Sequence, residues 1–256
     1  MMKTVVNNLP YIPERPAKPR IKGLTMVMDK GLSLREAEDF VSVCGDYTDY
    51  VKLGFGTAII TPDFDQKIRI YKEAGLRPYF GGTLFEIFLI RGMFDEFVGL
   101  IDKYEVDLVE ISDGSYDFDH SKKLEYISLL AKRGTVISEV GSKKKTVVYS
   151  PDEWVRQMQL ELEAGSSKVI AEAREAGTIG IYNDDGSVNI EIIKAIATNV
   201  SIDNVIWEAP IKSQQVWLIK QFGANVNLGN IPPNEVIPLE TLRLGLRGDT
   251  FFQFLP

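Results

Sequence analysis

From Gly23 onward the chain alternates short apolar runs, rich in β-branched and aromatic residues, with longer stretches whose apolar positions recur every three or four residues. A run of the first kind reads as a strand buried on both faces, and a stretch of the second kind as an amphipathic helix. There are eight strand candidates: Leu24–Met28, Tyr50–Leu53, Arg77–Phe80, Leu108–Ile111, Thr135–Ser138, Lys168–Ala171, Asn204–Trp207 and Asn225–Leu228. Helix signals fall between them. Ser33 and Glu36 have the spacing of a capping box, Ser150 precedes Pro151 with Asp152 and Glu153 in the first turn, and Gly75 and Gly165 stand where helices end. Repeated strand-then-helix predicts a parallel sheet, because parallel neighbours need crossover connections. Eight such units in about 230 residues fit an α/β, single-domain (β/α)8 barrel over residues 23–256. A doubly wound open sheet is the alternative. It ordinarily has fewer strands and a phosphate-binding glycine fingerprint after the first, where this chain reads Asp29-Lys30-Gly31-Leu32.

Residues 1–22 break the pattern. Pro10, Pro13, Pro16 and Pro19 punctuate a segment without periodicity, which predicts an extended arm packed over the barrel or a neighbouring subunit.

Composition narrows the function classes. With 256 residues, 45% hydrophobic, the chain has enough apolar surface for one large core. Lys plus Arg number 29 against 36 for Asp plus Glu, and the net charge of −7 disfavours nucleic-acid binding through a globally basic surface. A single cysteine, Cys44, cannot form an intramolecular disulfide, and no apolar run approaches the roughly 20 residues needed to span a bilayer. Cytoplasmic placement without a membrane partner is the expectation. The lone histidine, His120, lies in a polar stretch and reads as a surface helix start, so chemistry falls to carboxylates, lysines and arginines.

Barrel active sites lie at the C-terminal strand ends and in the loops that follow. There the fourth to seventh strands each carry a glutamate in an apolar run: Glu110, Glu139, Glu172 and Glu208. Four carboxylates converging on one mouth repel one another unless a cation or basic side chains offset them. Oxygen ligands on rigid strands suit Mg²⁺, which takes only one or two protein carboxylates, so not all four need be ligands. Pairing with neighbouring basic residues is the other reading. Lys52, in the second strand, is costly to bury without a carboxylate or a ligand anion. The Gly81-Gly82-Thr83 turn after the third strand either presents donors to an anion or only turns the chain. After Glu139 comes the basic run Lys143-Lys144-Lys145, in which Lys143 is nearest the strand end. Arg174 follows Glu172 by two positions, on the same face of an extended strand, where it would clamp an anion or neutralise a glutamate. Asn230 follows the eighth strand. Whether Arg243 or Arg247 reaches this face is open.

Six motifs, Lys52–Thr57, Gly81–Glu86, Glu110–Gly114, Ser138–Lys143, Glu208–Pro210 and Leu239–Phe251, stand in the order found in the phosphosulfolactate synthase family, which the chain resembles from about Gly23 to its C-terminus. Phe55 and Trp207 depart from the family's usual tryptophan and phenylalanine, each keeping an aromatic ring. The resemblance implies a (β/α)8 barrel that assembles as a homo-oligomer, with a trimer as the candidate assembly. It also implies a carbon-sulfur lyase that uses Mg²⁺ to add sulfite to phosphoenolpyruvate, giving (2R)-2-phospho-3-sulfolactate for coenzyme M or sulfolactate formation. Its proposed acid maps to Lys143, with Lys144 next to it in register. On this reading Lys143 and Glu139 are catalytic, and Glu110, Glu139, Glu172 and Glu208 supply the metal ligands. Lys52, Arg174, Gly81, Gly82, Thr83 and Asn230 bind substrate. Related barrels acting on another enolic phosphate, and non-catalytic stress-related relatives, are the alternatives.

Overall fold

The computed structural model describes residues 9–116, 118–142 and 149–256. Eight parallel strands form the barrel wall: β1 (Thr25–Asp29), β2 (Tyr50–Leu53), β3 (Arg77–Phe80), β4 (Leu108–Ile111), β5 (Thr135–Val140), β6 (Ser166–Ala171), β7 (Val205–Glu208) and β8 (Leu228–Ile231). Helices on the outside connect them: α1 (Leu34–Cys44), α2 (Phe64–Glu73), α3 (Gly82–Leu89) and α4 (Phe94–Lys103) before β4, then α5 (His120–Ala131), α6 (Pro151–Ala164), α7 (Ile190–Asn199) and α8 (Lys212–Phe222), with α9 (Val236–Arg243) last. Seven strands begin within two residues of expectation. The eighth begins three residues late. The side chain of Asn227 reaches from one strand to the next, accepting from Leu24 N at 3.0 Å and donating to the carbonyls of Asp203 and Val205 at 3.0 Å. The ladder therefore starts beyond it. It continues through Gly229, where any side chain would collide with Met26 and Ile206 inside the barrel.

The expected helix ends are present. Ser33 and Glu36 cap α1 reciprocally, Ser150 accepts from Glu153 N at the start of α6, and Gly75 and Gly165 adopt positive φ after their helices. His120 opens α5 but is partly buried, with Nε2 3.1 Å from Glu161 Oε1.

Hydrogen-bonded ladders run in the order β3-β2-β1-β8-β7-β6-β5-β4, leaving β3 and β4 side by side without a ladder. Side chains close this seam. At its N-terminal end Arg77 Nε donates to Asp107 Oδ2 at 3.1 Å. In the middle, Gly82 N donates to Glu110 Oε1 at 2.5 Å. At its C-terminal end Glu86 accepts from Ser112 Oγ at 2.5 Å and from the amides of Ser115 and Tyr116 at 2.8 and 2.5 Å. These contacts fix the β4–α5 loop against α3, doing by side chains what the other seams do by backbone.

Residues 9–22 form no helix or strand and cross the N-terminal ends of the strands. Arg15 bonds Glu240 at 2.9 Å and the Gly23 carbonyl at 3.0 Å, Lys18 bonds the Gly45 carbonyl at 2.9 Å, and Arg20 pairs with Asp49 at 3.0 Å. Beneath the arm Arg243 is fully buried and donates to the carbonyls of Ala224, Val226 and Leu24 at 2.6, 2.7 and 3.1 Å. That places it at the barrel face opposite the strand C-termini. Burial pushes its guanidinium down to about 9, which leaves it charged at neutral pH. Among the described residues no helix is long and apolar enough to cross a membrane.

Glu86 is the carboxylate that ties the β4–α5 loop across this seam. Removing a buried charged acceptor that serves three donors is expected to cost about 3 kcal/mol in Glu86→Ala, measured by urea unfolding. Glu86→Gln keeps the shape and loses less.

Candidate active site

The side-chain period of two along a strand decides which residues meet inside the barrel. Glu110 pairs in register with Ile137 of β5, so Glu139, two residues further, points the same way. Glu139 pairs with Ile170 and Ile170 with Ile206, which puts Glu208 on the same inner face. Lys52 enters from β2. Its Nζ lies 3.0 Å from Glu110 Oε1, 3.0 Å from Glu139 Oε2 and 3.4 Å from Glu208 Oε1. All four side chains are buried. Burial opposes the charge on Lys52, but the three carboxylates overcome it and hold the ammonium's pKa well above the ordinary lysine value.

Each carboxylate has further anchors. Glu208 Oε2 accepts from Ala173 N at 2.8 Å, while the Glu208 carbonyl accepts from the Tyr182 hydroxyl at 2.7 Å. The Glu139 carbonyl accepts from Lys123 Nζ at 2.6 Å. Lys123 is itself buried between Asp113 Oδ1 and Glu161 Oε1, each at 2.8 Å. The Tyr79 hydroxyl lies against Glu110, and burial followed by that carboxylate raises its pKa far above the usual tyrosine value. Neither Tyr79 Oη nor Glu110 Oε2 has a well-aligned hydrogen bond among the described residues.

A cavity of about 450 Å³ opens above this cluster at the C-terminal face. Lys52, Glu139 and Glu208 line its floor with Met28, and its wall includes Phe55, Gly81, Thr83, Arg174 and Asn230. The chain turns sharply around it. Phe55 and Gly56 are left-handed, with φ of 55° and 69°, and Asn230 has φ 54° within β8. Left-handed backbone at a non-glycine residue costs of order 1 kcal/mol and clusters at functional sites.

Of the residues singled out in the sequence, Lys52, Glu139, Glu208, Gly81, Thr83, Arg174 and Asn230 are brought to this cavity. Glu110 lies beneath it, holding Lys52 and Gly82. Glu172 is buried beside Gly141 and Trp154 and does not line the cavity. It does not share a strand face with Arg174 as expected, because β6 ends at Ala171 and both residues belong to the following loop. Neither glycine after β3 has an amide to spare for an anion: Gly81 N donates to Leu53 O at 3.1 Å and Gly82 N to Glu110. They supply close approach instead. A Cβ on Gly81 would stand 3.2 Å from Lys52 Cε, and one on Gly82 would overlap Ser112. Lys143 lies outside the described residues, as do Lys144 and Lys145. The sequence reading missed Lys123 and Glu161, although Lys123 shares the apolar face of α5 with Ile127 and Leu130, an abnormal place for an unpaired lysine.

Among the described residues no three His, Cys, Asp or Glu side chains are arranged as a metal cage. The carboxylates nevertheless suit a magnesium ion. Two of them, Glu139 and Glu208, face the open volume, which is as many protein carboxylates as Mg²⁺ commonly takes. The Lys52 ammonium is a stand-in cation showing that their oxygens already converge on positive charge.

A family model described as (2R)-phospho-3-sulfolactate synthase (ComA) matches residues 13–249. A phosphosulfolactate synthase of Methanocaldococcus jannaschii is 46% identical over 236 residues, covering 90% of this chain and 94% of that one. One of Bacillus subtilis is 40% identical over 244 residues, covering 94% and 97%. In fold, the chain resembles 3-hexulose-6-phosphate synthase of Salmonella typhimurium, with a TM-score of 0.55 at 17% identity, covering 88% and 100% of the two chains.

Burial raises the Glu110 pKa above the ordinary carboxylate value against the pull of Lys52, with Glu139 adding to the rise. Between those two values the folded chain holds a proton that the unfolded chain has released, so stability from Glu110 is present at low pH and lost as pH rises through the folded value. Glu110→Gln is therefore expected to gain in melting temperature relative to wild type as pH rises from the ordinary carboxylate value through the raised folded one. A constant difference across that range would contradict this account.

Proposed function

The chain belongs to the (2R)-phospho-3-sulfolactate synthase family, and from that premise we propose that it catalyses Mg²⁺-assisted addition of sulfite to C3 of phosphoenolpyruvate, giving (2R)-2-phospho-3-sulfolactate. The observation that carries this reading is the cavity at the strand C-termini, where an ammonium and two carboxylates of the family's motifs face one volume together with the Arg174 guanidinium. Both substrates are anions, so they need donors. Arg174 offers a fork suited to phosphate or carboxylate, Lys52 a point charge, and Thr83 a hydroxyl.

In the proposed reaction the sulfur lone pair of sulfite forms the new bond to C3. The C2–C3 π pair moves toward the substrate carboxylate, and a proton delivered to C2 completes the addition, with no group leaving. Mg²⁺, when bound through Glu139 and Glu208, supplies a Lewis acid for the charge that collects on that carboxylate. Glu110 holds Lys52 from below, with the Tyr79 hydroxyl against that carboxylate, and the Lys123 bond to the Glu139 carbonyl fixes the end of β5. The acid is Lys143, assigned from the family's motif; it follows Glu139 by four residues. On this reading the protein is a lyase working in the cytoplasm, and it assembles with copies of itself.

The test is direct. Purified protein with Mg²⁺, phosphoenolpyruvate and sulfite should form phosphosulfolactate, lose activity to a chelator and regain it with added Mg²⁺. Lys143→Ala should lower kcat by about 10²-fold or more, while Lys144→Ala stays near wild type. Arg174→Ala should raise KM by about tenfold, as expected for one lost charge-assisted bond. Absence of product under these conditions sinks the assignment.

A further inference from the structure

Lys52 occupies the space that a metal bound to Glu139 and Glu208 would also claim. Its Nζ stands at 3.0 Å from one and 3.4 Å from the other, whereas Mg²⁺ sits at about 2.1 Å from its oxygens. A metal drawn to that distance from both carboxylates leaves no room for an ammonium between them, and the two positive charges repel. The lysine has somewhere to go. It lines the cavity, and its stem runs past Gly81, where even a methyl group would crowd Cε and Cγ at 3.2 and 3.4 Å. Glu110, held by the Gly82 amide, remains as a partner on the side away from the cavity.

We propose that Lys52 is a resident cation that competes with the divalent metal for Glu139 and Glu208, so that metal binding turns its ammonium toward the incoming anion. This rests on the Mg²⁺ reading above and deepens it: the site holds its carboxylates together before metal arrives, and metal binding prepares the anion site. Metal and anionic substrate then bind with positive coupling, each strengthening the other.

The experiment is Mn²⁺ binding, followed by paramagnetic resonance and calorimetry, together with carbon NMR of protein labelled at lysine Cε. Lys52→Met should bind Mn²⁺ about tenfold more tightly than wild type, since a competitor is removed, and should lose the coupling to phosphoenolpyruvate. The Lys52 Cε signal, identified by its absence from the variant, should shift when Mg²⁺ saturates the wild type. Should Lys52→Met fail to fold, Lys52→Met combined with Glu110→Gln removes the ammonium and one carboxylate together, and the same gain in Mn²⁺ affinity is expected. Equal or weaker Mn²⁺ binding in the variant, or an unmoved Lys52 signal in metal-saturated wild type, overturns the competition while leaving the metal reading intact. A wild type that binds no divalent metal overturns both.

Discussion

The ammonium of Lys52 beneath the barrel mouth binds together parts of the wall that the backbone leaves apart. Burying a lone charge costs several kcal/mol even after relaxation, so Lys52 and its three carboxylates are tolerable only as a group. Those carboxylates come from β4, β5 and β7, and the lysine from β2. Because β3 and β4 share no ladder, the Lys52–Glu110 pair also crosses the weakest seam. Glu110 serves both purposes with one oxygen, accepting from Gly82 across the seam and from Lys52 inside the barrel. Site electrostatics and barrel closure are thus the same interaction seen from two sides.

The opposite face is organised by another set of charges. Arg15, Arg20 and Arg243 spend their donors on Glu240, Asp49 and strand-start carbonyls, holding the N-terminal arm and the last helix to the barrel floor. This division follows the architecture, in which the N-terminal face serves stability and the C-terminal face chemistry. It also settles Arg243, which is a structural residue of the Leu239–Phe251 motif. Arg243 therefore reports on the strap, whereas Arg247 of the same motif pairs with Asp249.

Strands and helices were legible because a barrel imposes a regular alternation of buried runs and amphipathic faces. The acidic residues were legible for a related reason: a glutamate in a fully buried run stands out. What such patterns do not carry is which strands pair. Nothing in Arg77–Phe80 or Leu108–Ile111 announces that their ladder is missing, so Glu86 read only as part of a motif, although it bonds the β4–α5 loop to α3. Equal spacing likewise made Glu172 equivalent to Glu139 and Glu208. The termination of β6 at Ala171 separates them, since past the last ladder residue the period of two no longer fixes direction. The buried lysines were readable in principle. Lys67 and Lys123 lie on the apolar faces of their helices, and each is answered by carboxylates at the barrel's C-terminal end, Asp29 for one and Asp113 with Glu161 for the other.

A net charge of −7 and the proposed anionic substrates are compatible because the acidic residues in this site do not face the cavity unaided. Carboxylates are acceptors only, and an anion gains nothing from them without a cation between. In the described cavity the intermediate cations are Lys52, set among its carboxylates, and Arg174 on the loop after β6. Low dielectric makes the pairing strong, and the same low dielectric penalises any imbalance when a ligand brings in new charge. A barrel offers rigid strand ends to fix the carboxylates, while a lysine's long stem allows its ammonium to move by ångströms without disturbing the wall. On the proposed competition the mobile partner in this cluster is the lysine: it pairs in register with Tyr79 of β3, and its stem runs past Gly81, the residue after that strand, which has no side chain to confine it.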